Sequence, residues 1–124
     1  MKATSRIFVE LLSASVLVLG AGTTPAEETG TASRMEQKVF AENEKVTVAE
    51  NTFKPGAESP NVARPLRVVR AIKGGRFQRI YADGRKEDGQ YKTDEVKVLD
   101  ASPPYILKNV GDSDLVLYVV LIKQ

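Results

Sequence analysis

A chain of 124 residues, 42% hydrophobic and 27% charged, holds enough apolar material for one modest core and is not disordered throughout. Its formal net charge of +2 gives no global pull towards nucleic acid or a membrane surface. With no cysteine and no histidine it excludes disulfides, thiol nucleophiles and imidazole bases. It also lacks the nitrogen and sulfur ligands that zinc, copper and non-haem iron favour.

In chain order, Lys2 and Arg6 precede an apolar run over residues 11–21 (LLSASVLVLGA), followed by small residues at Gly22 and Ala26. A charged start, a short apolar stretch and a small-residue region make a secretory signal peptide, with cleavage expected after Ala21 or as late as Ala26. The run is shorter than the roughly 20 residues a spanning helix needs, so no stable membrane insertion is expected after processing. The expected location is periplasmic or secreted; the alternatives are an uncleaved anchor, or a cytoplasmic protein if Met35 is the true start. Removing residues 1–21 takes away two of 18 cations (Lys2, Arg6) and one of 16 anions (Glu10), leaving a net charge of +1. Residues 22–37 are small, polar and turn-rich, the composition of a disordered lead-in.

From Lys38 short apolar runs alternate with turn residues, which predicts strands over 39–41, 46–53, 68–73, 77–82, 90–93, 96–100, 105–110 and 115–122. Residues 46–51 alternate with a period of two, as a half-buried strand does. The last run, LVLYVVLI, is apolar on both faces and suits a central strand. Over 65–75 the spacing of Leu66, Val69 and Ile72 is also compatible with a two-turn helix. The β-branched residues there favour a strand, with Gly74-Gly75 as a hairpin turn. An all-β sandwich or barrel spanning 38–124 is the expected domain.

From Gly56 onward the residues resemble the small single-domain cupins, whose first motif is G-x5-H-x-H-x3–4-E-x6-G and whose second is G-x5-P-x-G-x2-H-x3-N. In that register Gly56, Gly75 and Asn109 match, and an NVGD turn follows at 109–112. The resemblance implies a jelly-roll barrel of two facing antiparallel sheets. The four positions where the family places three imidazoles and a carboxylate carry Val62, Arg64, Val68 and Tyr105. Two aliphatic groups and a guanidinium do not hold a cation, so neither a metal nor a cofactor is expected, and the family's metal-dependent activities do not carry over.

Six cations fall at Arg64, Arg67, Arg70, Lys73, Arg76 and Arg79, with no Asp or Glu between Ser59 and Ala82. If Val68 points inward, as its matched position does in the family, Arg70 shares its face. Arg64, Arg70 and Tyr105, with Val62 and Val68 beside them, would then line the barrel, and two guanidinium forks suit a carboxylate or phosphate. The alternative for an inward Arg is a supporting ion pair with Glu58 or Glu95. The expected function is therefore binding of a small polar or anionic ligand, without nucleic acid. Two rivals stand beside it: a metal-independent isomerase or lyase using Tyr105 and a carboxylate, and a structural or partner-binding barrel that homodimerises through a sheet edge. The acidic pairs Glu42/Glu44, Glu87/Asp88 and Asp112/Asp114 lie in polar segments and read as solvated.

Overall fold

The LVLYVVLI run is apolar on both faces because it is the middle strand of a sheet. A computed structural model describes residues 33–124. Their strands are β1 (Glu36–Glu42), β2 (Val46–Phe53), β3 (Val62–Arg64), β4 (Arg67–Lys73), β5 (Gly75–Tyr81), β6 (Lys86–Tyr91), β7 (Val96–Leu99), β8 (Ser102–Asn109) and β9 (Leu115–Ile122), and no helix occurs among them. Five strands form one sheet in the order β1-β2-β9-β4-β7, and four form the other in the order β3-β8-β5-β6. All named pairs are antiparallel, and the two sheets make the jelly roll that the resemblance implies. The signal segment and most of the lead-in lie outside the described residues.

The core lies between the sheets. From β9 come Leu115, Leu117 and Val119, from β2 Ala49 and Phe53, from β4 Val69 and Ala71, and from the opposite sheet Phe77, Tyr91, Tyr105 and Leu107. Gly89 is required opposite Phe77: a Cβ there would overlap the ring, which lies over the glycine within the β5–β6 pair. That packing leaves Phe77 and Tyr91 stacked at 5.1 Å between centroids.

The structure departs from the expected elements at five places, the first being β6, expected over 90–93, which spans Lys86–Tyr91. Ordered chain begins before Lys38: Met35 N–H donates to the Glu58 carbonyl and packs on the core, and β1 starts at Glu36. A short strand, β3, appears where no apolar run predicts one, paired to β8 with Val62 opposite Tyr105. Pro103 and Pro104 sit inside β8 rather than ending a run; β8 pairs with the irregular, three-residue β3 at this end, where a missing N–H is tolerated. Gly74 is not part of a hairpin. β4 bonds β9 and β7 while β5 bonds β6 and β8, so the chain changes sheet at this one residue. A Cβ on Gly74 would overlap the Tyr91 carbonyl oxygen and stand 2.6 Å from the Thr93 nitrogen, and only glycine passes that close to another backbone.

The change of sheet between Arg64 and Arg67 also resets side-chain parity. Pro65 and Leu66 carry the chain from β3 in one sheet to β4 in the other, so the alternation that holds along a strand does not continue across them. As a result Arg67, Val69 and Ala71 point into the barrel, while Val68 and Arg70 point outward. The expectation that Val68 and Arg70 line the lumen is corrected by this one-residue difference, which moves every side chain of the strand to the other face.

Candidate functional site

Both sheets line a cavity of about 260 Å³. The five-stranded sheet contributes Gln37, Asn51 and Phe53, Leu117, Val119 and Leu121, Arg67 and Val69, and Leu99. The four-stranded sheet contributes Val62, Arg64, Tyr105, Leu107, Arg79 and Tyr91, and the loop before β3 adds Ser59 and Pro60. The wall is mostly apolar, with its cations gathered near Tyr105.

Three guanidiniums surround this phenol. Arg64 lies over the ring, its central carbon 3.8 Å from the centroid. Its Nη1 donates to the carbonyls of Val62 at 2.7 Å and Tyr105 at 2.6 Å, and its Nη2 to Ser59 Oγ at 2.8 Å. Arg67, only 5% exposed, donates from Nη1 to the carbonyls of Pro65 (3.1 Å) and Asp100 (3.0 Å), and from Nη2 to the Tyr105 hydroxyl at 2.9 Å. The Arg79 carbon lies 5.4 Å from the same ring centroid.

These arginines are held by neutral groups. A guanidinium has five N–H donors; Arg64 and Arg67 each spend three on carbonyls and hydroxyls, which leaves two apiece. Among the described residues neither forms an ion pair, and only Arg79 has a carboxylate near, Glu87 at 3.9 Å. The supporting partners expected from the sequence pair elsewhere: Glu58 with Lys108 and Glu95 with Lys97. Burial pushes the Arg64 pKa below its ordinary value, and the charges of Arg67 and Arg79 push the same way, against an opposing pull from Tyr105. Burial likewise raises the Tyr91 pKa, so its phenol stays neutral over the physiological range. The pocket therefore concentrates positive charge, and among the described residues Arg64 and Arg67 have no carboxylate partner.

The cavity brings together Arg64, Tyr105 and Val62, the last 47% exposed and at the rim. It excludes Val68 and Arg70; Arg70 lies outside, 3.0 Å from Asp94, with both side chains more than half exposed. Arg67 and Arg79 take the place assigned to Arg70. Their signal is present in the six-cation run, but selecting them needs the change of sheet at Pro65 and the shared face of Phe77 and Arg79 along β5.

General-base chemistry has little to use. Among the described residues no Asp or Glu lines the cavity, and the Tyr105 hydroxyl accepts from Arg67. Ser59 Oγ accepts from Arg64 and from the Leu107 N–H at 2.8 Å while donating to the Pro60 carbonyl, so its hydrogen-bonding capacity is filled. Among the described residues no group of three or more His, Cys, Asp or Glu stands together as metal ligands. Arg64 and Tyr105 line the cavity while Val68 points out, so these residues do not make the imidazole and carboxylate ligand set that the resemblance implies at those positions.

No family model matches the chain, and no curated protein matches it in sequence. Solved structures do. A cupin domain from Bordetella pertussis Tohama I is 21% identical with a TM-score of 0.69, covering 77% of this chain and 100% of that one. An RmlC-like cupin with a double-stranded β-helix fold from Methanocaldococcus jannaschii is 18% identical with a TM-score of 0.58, covering 77% and 86%. The cupin domain of an XRE family transcriptional regulator from Enterobacter cloacae is 19% identical with a TM-score of 0.56, covering 73% and 97%.

Proposed function

Starting from the cupin fold that these likenesses establish, we propose that the domain binds a small organic anion, a monocarboxylate with a short apolar body, and does so without a metal ion. One observation carries this: two guanidiniums, one of them nearly fully buried, face the cavity with unspent donors and no carboxylate partner among the described residues. A buried charge without a partner is unfavourable, and a carboxylate entering the cavity relieves it through charge-assisted hydrogen bonds. The apolar remainder of the wall accommodates the rest of the ligand. A volume of about 260 Å³ falls below the ~300–1,000 Å³ typical of sites for drug-sized molecules, which favours a short acid.

Melting curves against short aliphatic and aromatic carboxylates, each paired with its uncharged amide, test the proposal. A binding acid at 100 times its Kd stabilises the fold by about 2.7 kcal/mol, a rise of about 10 °C or more for a domain this size. The matching amide leaves the curve in place. Acid and amide acting alike, or neither acting, would count against the anion site.

A further inference from the structure

Tyr91 lines the cavity but plays no part in the hydrogen bonding around Tyr105. The side chain is only 3% exposed, stacks on Phe77 at 5.1 Å between centroids, and has Lys97 Nζ 4.7 Å from its ring centre. Gly74 passes close against its carbonyl, so ring and backbone are both held in place. Among the described residues its hydroxyl has no hydrogen-bond partner. It is not sealed in, because the side-chain polar atom there that is both closed off and unpartnered is Ser102 Oγ. The Tyr91 hydroxyl is reached from the cavity.

This hydroxyl belongs to the arginine cluster. Burial raises the Tyr91 pKa, Arg79 lowers it, Tyr105 raises it and Arg67 lowers it, so all three stand within electrostatic reach. The unspent groups at this point are donors. Arg64 and Arg67 keep two N–H apiece, and Tyr105, whose oxygen accepts from Arg67, keeps its own O–H. The wall's other polar pair, Gln37 and Asn51, is bonded to itself at 2.9 Å. Asn51 lies opposite Leu117 on β9 and Arg67 opposite Leu121, roughly 13 Å apart along the sheet.

A carboxylate on the arginines leaves the Tyr91 O–H unmatched, and a buried donor without an acceptor is unfavourable. A second oxygen on the carbon next to the carboxylate is within its short reach. A hydroxyl there accepts the bond but brings a hydrogen for which the cluster has no free acceptor; a carbonyl brings none. On the reading that the cavity takes a monocarboxylate, we propose that its ligand is a 2-oxo acid with a short aliphatic tail, selected by Tyr91. The carboxylate sits on Arg64 and Arg67, the 2-oxo oxygen accepts the Tyr91 O–H, and the tail lies against Leu107, Leu117 and Val119.

Titration calorimetry of the full chain with butyrate, 2-hydroxybutyrate and 2-oxobutyrate, in wild type and Y91F, tests the selection. Wild type binds 2-oxobutyrate about tenfold more tightly than butyrate, the effect of one buried hydrogen bond. It binds 2-hydroxybutyrate no more tightly than butyrate. In Y91F the ratio of 2-oxobutyrate to butyrate affinity falls to about one. A cooperative melting transition shows that the variant is folded, and the wild-type ratio is a test without it. A wild-type ratio near one, a preference for the hydroxy acid, or a tenfold ratio that survives in Y91F would each overturn the role of Tyr91. Butyrate binding in any of those cases leaves the anion site standing. Failure of all three acids to bind wild type overturns both.

Discussion

Replacing Asn109 by aspartate lowers the stability of the domain by about 4 kcal/mol at pH 7, and about half of that loss returns near pH 3. Asn109 is 1% exposed, and its amide nitrogen donates to the carbonyls of Phe53 at 2.8 Å and Ser113 at 2.9 Å. Its oxygen accepts the Gly111 N–H at 2.9 Å, which closes the turn from β8 to β9. One side chain thus ties the end of β2 to the turn entering the central strand. Aspartate keeps the shape but turns two donors into acceptors facing carbonyls. Two unmade buried hydrogen bonds and a desolvated charge together cost about 4 kcal/mol. Burial and the facing carbonyls raise the folded-state pKa of the new carboxyl above its unfolded value of about 3.9. The stability of the variant relative to wild type is therefore greatest below that unfolded value and falls as pH rises through the folded one. Denaturation of both proteins at each pH measures this: a midpoint about 20 °C lower at pH 7, narrowing in acid. A pH-independent drop of under about 5 °C would show that Asn109 does not hold the turn.

Replacing Arg67 by methionine abolishes the response to carboxylates while the ligand-free midpoint moves by no more than about 5 °C. The two effects have different origins. Losing the guanidinium leaves the carbonyls of Pro65 and Asp100 without their donor, at about 1–3 kcal/mol each. The change also removes a nearly buried cation with no carboxylate partner among the described residues and relieves its repulsion of Arg64, an offset of similar size. For the ligand there is no offset. A charge-assisted hydrogen bond worth about 3 kcal/mol disappears, which weakens binding more than 100-fold. Titration calorimetry with the tightest acid of the panel measures the loss. Unchanged affinity in Arg67→Met would remove this residue from the site; a fall in midpoint of 15 °C or more would make it a structural support.

Much of the fold is legible because the hydrophobic period and the turn chemistry agree. β2 and β9 have the predicted limits, and the double-faced apolarity of β9 matches its central position. The 67–73 stretch is a strand, as its β-branched residues require. Asn109 stands at the end of the second motif, and the structure gives its physical task. What periodicity cannot carry is the passage between sheets. At Pro65–Leu66 and at Gly74 the chain leaves one sheet for the other within one or two residues, and strand parity says nothing about facing on the far side. It is the motif register, not parity, that puts Arg70 inside: Val68 and Arg70 do share a face of β4, but it is the outer one, and Arg67 takes the inner. β3, three residues long with no apolar alternation, gives no strand signal, although Arg64 at its end does line the cavity.

The central claim is that the arginines around Tyr105 receive an anion, and arginine side-chain N–H resonances followed during a titration with butyrate test it most directly. The signals of Arg64, Arg67 and Arg79 shift together and saturate, while those of Arg70, Arg76 and Arg85 on the surface stay fixed. Saturable movement confined to the surface arginines, or no movement at any concentration, would contradict the anion site.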